Sequence, residues 1–257
     1  MRVRAKIFLI LAGFLSTLST VPAGAAAGAP FLYQGIGEHR EGSAILEWQN
    51  AVGTRDARPF SERGFETGLW LDYVPVDGAG LRFSNSYLFS AGVEPRAAVF
   101  LEGSWLLLRN EWQGMDLGLG FGFGRDFRDA WLPRIRVFLG AKSGRFEIAA
   151  GVLAEFPMAA GRDAMDVIIT AAAGYRIADS WVAGVEAAAE DLEGFFEEEE
   201  AEGGARLTAG PTLWVHVTDS WHIKANVAAC ITGRLQDGTR ELVAPGVAAR
   251  LAVGYSF

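Results

Sequence analysis

His216 and His222 flank Thr218, Asp219 and Ser220. If the chain reverses there, the two imidazoles become neighbours near one end of adjacent strands. Such a pair holds Zn²⁺ or Cu²⁺ when Asp219 or Cys230 supplies another donor. Cys230 lies eight residues beyond His222, about 26 Å away in an extended chain, which is too far to join. A serine hydrolase would instead need a nucleophile, a base and an orienting group near the outer lipid surface. Ser220 sits beside His222 at the opposite depth, and no Gly-x-Ser-x-Gly elbow occurs. The run Glu197 to Glu200 offers carboxylates for Ca²⁺ or Mg²⁺ but lacks the spacing and reversing glycine of a calcium loop. It reads as a solvated, self-repelling loop. No cofactor or resident metal is expected.

The richer chemistry lies in charges at alternating positions. Nine acids and nine bases share a parity opposite to that of the large apolar residues. Among them are Glu147, Glu155, Glu186 and Glu190, and Arg134, Arg136, Lys142, Arg145, Arg176 and Arg250. A balanced set of this kind builds salt-bridge networks that rigidify a filled interior, or opposing ladders along a narrow aqueous path. Arg134, Arg136, Lys142 and Arg145 form the densest basic patch and are the expected contacts of a polar or weakly anionic solute. The competing role for Arg176 is to neutralise the acids on the strands beside it.

These positions have meaning only on strands. Val247, Ala249, Leu251, Val253, Tyr255 and Phe257 alternate with small or polar residues, a period of two that no helix would place on one face. The same alternation recurs from Phe146 to Phe156 and from Trp181 to Ala189. From Leu117 to Phe123 it pairs apolar residues with glycines. Twelve strands follow, at roughly 43–52, 65–74, 80–90, 97–108, 115–125, 134–142, 145–156, 166–177, 181–191, 205–216, 221–230 and 244–257. Each is long enough for a tilted membrane crossing. Ten or fourteen would keep both termini on one side equally well. Short connections at Ser143–Gly144, Ala178–Ser180 and Thr218–Ser220 alternate with longer charged ones, including 53–63, 126–133, 157–165, 192–204 and 231–242. Short periplasmic turns and longer surface loops give that asymmetry.

The chain has 257 residues, half of them apolar, with one cysteine and a formal charge of -8. That charge argues against a nucleic-acid grip. Arg2, Arg4 and Lys6, an apolar run from Ile7 to Leu15 and the small residues Ala23 to Ala27 have the layout of a secretory signal peptide. Cleavage is expected after Ala25, or after Ala27, leaving 26–42 as a periplasmic segment and 43–257 as the barrel. An open sheet in lipid would strand its edge amides and carbonyls at several kcal/mol each, so a membrane reading requires closure. Trp48, Tyr87, Trp105, Tyr175, Trp181 and Trp221 then suit the outer surface and its interfacial girdles. A soluble sandwich or lipocalin-like barrel would bury them instead.

The leader, the alternating strands and the final Val253-Gly254-Tyr255-Ser256-Phe257 resemble a Gram-negative outer-membrane β-barrel protein, loosely like putative outer-membrane transporters. The resemblance implies an all-β, closed, antiparallel up-and-down transmembrane barrel in the outer membrane with both termini periplasmic. It implies contact with outer-membrane lipid and lipopolysaccharide. It further implies that Tyr255 and Phe257 serve as the signal read by the barrel-assembly machinery. The function expected is a narrow passive channel or transporter for a small solute. A structural or interaction barrel with a filled lumen is the first alternative, and an outer-membrane lipid hydrolase the second.

Overall fold

Each of the segments that alternates in sequence forms a strand. The computed structural model describes residues 41–59, 61–110, 115–191, 205–236 and 239–257; the leader and the Glu197 to Glu200 run lie outside the described residues. The first six strands are β1 (Ala44–Gly53), β2 (Gly64–Val76), β3 (Ala79–Phe89), β4 (Arg96–Asn110), β5 (Met115–Arg125) and β6 (Trp131–Ser143). The rest are β7 (Phe146–Glu155), β8 (Asp166–Ala178), β9 (Trp181–Glu190), β10 (Ala205–His216), β11 (Trp221–Gln236) and β12 (Thr239–Ser256). Every strand pairs antiparallel with its sequence neighbour. β1 closes on β12 in unbroken register from Ile45↔Ser256 to Gly53↔Ala248. Both ends of the barrel chain therefore meet at one rim, the rim of the short turns.

Closure satisfies the backbone, and alternation sorts the side chains. Leu46, Trp48 and Val52 on β1 point outward and are exposed, whereas Glu47, Gln49 and Ala51 between them are buried. The same apolar exterior recurs on all the other strands, from Leu69 and Leu81 round to Leu251. A soluble protein would not wrap itself in such a band, but hydrocarbon matches it. Aromatic pairs cluster near its edges. Phe146 with Tyr175 and Trp221 with Tyr255 lie at the short-turn end, and Phe123 stacks on Trp131 at the other. This is the architecture of an outer-membrane barrel, with the short turns on the periplasmic side.

The strands are tilted. Following paired residues from Phe138 through Gly151, Thr170, Ala188, Thr208 and Cys230 leads to Gly246. That path begins in the lower half of β6 and ends high on β12, which is the stagger a closed barrel requires.

Two expectations need correction. The long loop foreseen at 231–242 is largely strand, because β11 and β12 stay paired up to Gln236↔Thr239, past an irregularity between Cys230 and Thr232. Arg145, expected on a strand, occupies the exposed turn with Gly144 between β6 and β7. Beyond the outer aromatics, Trp214 and Phe138 point into the barrel and are each only 1% exposed.

Candidate functional site

The interior is organised in three levels, the uppermost of which is built by a loop. Residues 54–59 and 61–63, between β1 and β2, turn inward as a strap instead of standing away from the rim. Ala57 pairs with Ser61 through both backbone N–H groups, and its methyl packs among Ala188, Ala228, Cys230 and Ala248. Only small residues occupy that patch, so the strap backbone approaches the wall closely. Its base is tied where the Thr54 N–H donates to the Val247 carbonyl at 2.9 Å and the Val247 N–H donates to Thr54 Oγ1 at 2.9 Å. Arg250 donates to the Pro59 carbonyl.

From this anchorage Arg58 reaches the upper ends of β7, β8 and β9. Its Nε donates to Glu190 at 2.6 Å, Nη2 to Asp166 at 3.2 Å and Nη1 to Glu155 at 3.4 Å; Nη2 also contacts Glu190. β7 is six strands from β1 in the ring, so the strap spans the mouth from wall to wall. Burial disfavours the guanidinium charge, but Glu190 and Glu155 more than offset this and hold its pKa well above the usual arginine range. The carboxylates have further partners. Arg206 lies 2.9 Å from Glu190, and Arg162 bridges Asp166 at 3.0 Å and Asp126 at 2.5 Å.

Beside the strap a cavity of about 490 Å³ remains, bordered by Asp56, Glu62, Arg63, Glu94, Arg96 and Arg128. Burial and the adjoining Asp56 raise the Glu62 pKa to about 7. The Asp56 carboxyl, though burial pushes it up, is carried below the usual range by the Arg63 N–H at 2.8 Å and by Glu62. A side-chain hydrogen bond joins the two acids, favouring the protonated form of Glu62 and the charged form of Asp56.

The middle level centres on Glu102. Arg136 Nη2 donates to it at 3.1 Å and Arg134 Nε lies 3.3 Å away. Arg134 also stacks on Phe100 at 4.0 Å and reaches toward Glu155 at 3.8 Å, joining this level to the mouth. The Nε atoms of both arginines are buried without a hydrogen-bond acceptor.

The lowest level combines wall pairs with apolar filling. Arg82 grips Asp72 through two bonds at 2.5 and 2.8 Å, and Glu147 takes Arg176 at 2.5 Å and Lys142 at 3.8 Å. Glu47 accepts from Lys224 at 2.7 Å and lies 3.0 Å from His222 Nε2. Phe138 packs with Val74 and Leu106.

The expected basic patch is therefore divided. Arg134 and Arg136 act together, Lys142 belongs to the periplasmic end, and Arg145 lies outside the lumen. Of the acids expected beside Arg176, Glu147 alone meets it in a described contact; Glu155 and Glu190 serve Arg58, and Glu186 is buried deeper on β9 at 1% exposure. Arg250 supports the strap. Arg58, Arg162 and Asp126 carry no signal in the sequence, because alternation assigns faces only within strands and these three lie in loops; Asp166 stands at the first position of β8.

The two histidine rings stand 6.5 Å apart, with His222 turned to Glu47, while Cys230 Sγ lies 3.7 Å from the Asp56 carbonyl under the strap. These groups do not converge. Among the described residues no three His, Cys, Asp or Glu side chains are arranged to hold a metal ion. Ser220 lies in the periplasmic turn, away from the outer lipid surface. Tyr255 packs edge-on against Trp221 and Phe257, and the Phe257 N–H donates to the Ala44 carbonyl at 2.9 Å beside the seam.

No family model matches the chain, and no curated protein matches it. Solved structures do. The KdgM porin superposes with a TM-score of 0.59 at 12% identity, covering 83% of this chain and 99% of that one. The NanC porin gives 0.58 at 9% identity, over 82% and 98%. A KdgM porin in complex with disordered oligogalacturonate gives 0.58 at 13%, over 83% and 99%. The chain has the fold of these porins.

Proposed function

We propose that this barrel is a narrow passive channel for a small polar solute, held closed here by its own side chains and by the inward strap. Glu47, Glu102, Glu155, Glu190, Arg136 and Arg206 all line the lumen yet are buried, which supports the closed reading. The observation that carries the solute assignment is at the waist. Two guanidiniums converge on Glu102, where the Nε–H of Arg136 is buried without an acceptor and that of Arg134, 3.3 Å from the carboxylate, is not hydrogen-bonded to it. A buried donor without an acceptor is costly, and a solute carboxylate or other anionic oxygen relieves it. The oligogalacturonate complex of the structurally similar porin supports an anionic group on the solute. Arg134 and Arg136 are the contacts; Tyr255 and Phe257 retain the assembly role expected from sequence.

Planar-bilayer recording under a salt gradient tests this. The reversal potential should favour anions, and exchanging Arg134 and Arg136 together for glutamine should remove that preference. Absence of both current and solute flux in liposomes, including after strap removal, would instead support the structural barrel with a filled lumen. Turnover of phospholipid or lipid A by the purified protein would favour the hydrolase.

A further inference from the structure

The strap's Arg58 is seated as a ligand is seated. All three guanidinium nitrogens meet carboxylates contributed by three different strands: the last residue of β7, the first of β8 and the last of β9. A planar fork satisfied on every edge is the geometry in which guanidinium recognition is strongest. The carboxylates are held independently of their occupant. Arg206 fixes Glu190, Arg162 fixes Asp166, and Arg134 approaches Glu155. The cradle would therefore keep its shape if Arg58 withdrew.

Its excess of negative charge would grow. Asp126, Glu155, Asp166, Glu190 and Asp191 are partnered at this level by Arg58, Arg162 and Arg206, with Arg134 divided between Glu155 and Glu102. Without Arg58, Arg162, Arg206 and the shared Arg134 face five acids, and the vacancy attracts a cation carrying several N–H donors. Beyond Arg58, the strap is held by packing of small residues and by contacts with the β11–β12 wall.

We propose that Glu155, Asp166 and Glu190 form a receptor for a guanidinium or primary ammonium group, which Arg58 fills as a tethered occupant until a basic solute displaces it and releases the strap. This rests on the channel reading for its consequence, since displacement then admits the solute. It does not rest on that reading for binding. The mouth selects a cationic group and the waist an anionic one, so the solute class is a small molecule bearing both.

The test is calorimetric titration of the detergent-solubilised barrel with methylguanidinium, using tetramethylammonium as a cation of equal charge without N–H donors. Arg58→Ala should bind methylguanidinium at least tenfold more tightly than the parent protein, and tetramethylammonium should show no such gain. Adding Glu190→Gln should abolish the gain. Equal binding to parent and variant, or equal binding of the two cations, would overturn the receptor. Should Arg58→Ala fail to fold, Arg58→Gln preserves the side-chain length and carries the same expectation. If both fail, millimolar methylguanidinium on the parent barrel should raise the frequency of openings several-fold over tetramethylammonium, and equal frequencies would refute displacement. Binding without conduction would retain the receptor and refute the channel.

Discussion

The two ends of the lumen use the same residue types for different ends. Near the periplasmic rim, Arg82 pairs with Asp72 across β2 and β3, and Glu147 with Lys142 and Arg176 on the strands beside it. These pairs reinforce ladders that the backbone already fixes. At the mouth, Arg58 leaves the β1–β2 connection and ends on β7, β8 and β9, across the ring. A link between neighbours stiffens the wall, whereas a link across the lumen occupies the path. Position, more than charge, separates the scaffolding from the proposed gate.

The difference is most easily broken at Glu190, which is fully buried between two guanidiniums. Glu190→Gln should cost about 3 to 5 kcal/mol in urea unfolding of the vesicle-inserted barrel, because it leaves buried arginines unpaired. A loss below that of a rim pair would erase the distinction. The next effect concerns pH. Glu62 faces Asp56, Arg58 and Arg128, with Arg63, Glu94 and Arg96 around the adjoining cavity. Its pKa is raised with the strap seated, so its contribution to seating is complete below the ordinary value of 4.5 and is lost as pH rises to about 7. Channel opening should therefore increase across that interval by about tenfold, and Glu62→Gln should flatten the profile. A profile unchanged by Glu62→Gln would place the titrating group elsewhere.

Smaller effects belong to the rim. Arg82→Gln should cost about 1 to 2 kcal/mol, since its pair with Asp72 is bidentate yet partly wetted. Arg176→Gln, more exposed, should cost under about 1 kcal/mol in the same unfolding assay. Neither should change conductance more than marginally. A large change at either would make the rim part of the gate.

The wall was legible in the sequence because a period of two repeats from strand to strand. Alternation places Glu147, Glu155, Glu186, Glu190 and Arg136 inward, and they are buried there. The same rule applied to Trp214, two residues before His216, and to Phe138, two after Arg136, points them inward too; aromatic composition alone draws them to the outer girdles. Arg145 falls outside β7 because the turn occupies Gly144 and Arg145, so the strand begins one residue later, at Phe146. The strap is different in kind. No local pattern in residues 54–59 and 61–63 records that they fold inward, since their partners lie some ninety to two hundred residues away on other strands. Parity identifies a face but not which residues meet across a lumen, so the basic patch read as one group is divided between levels.

Single-channel recording of Arg58→Ala beside the parent barrel in planar bilayers tests the strap most directly, with circular dichroism confirming equal strand content. The parent should show rare openings, and the variant should show stable ohmic steps at least tenfold more frequent. A folded variant as silent as the parent would contradict the strap as the gate.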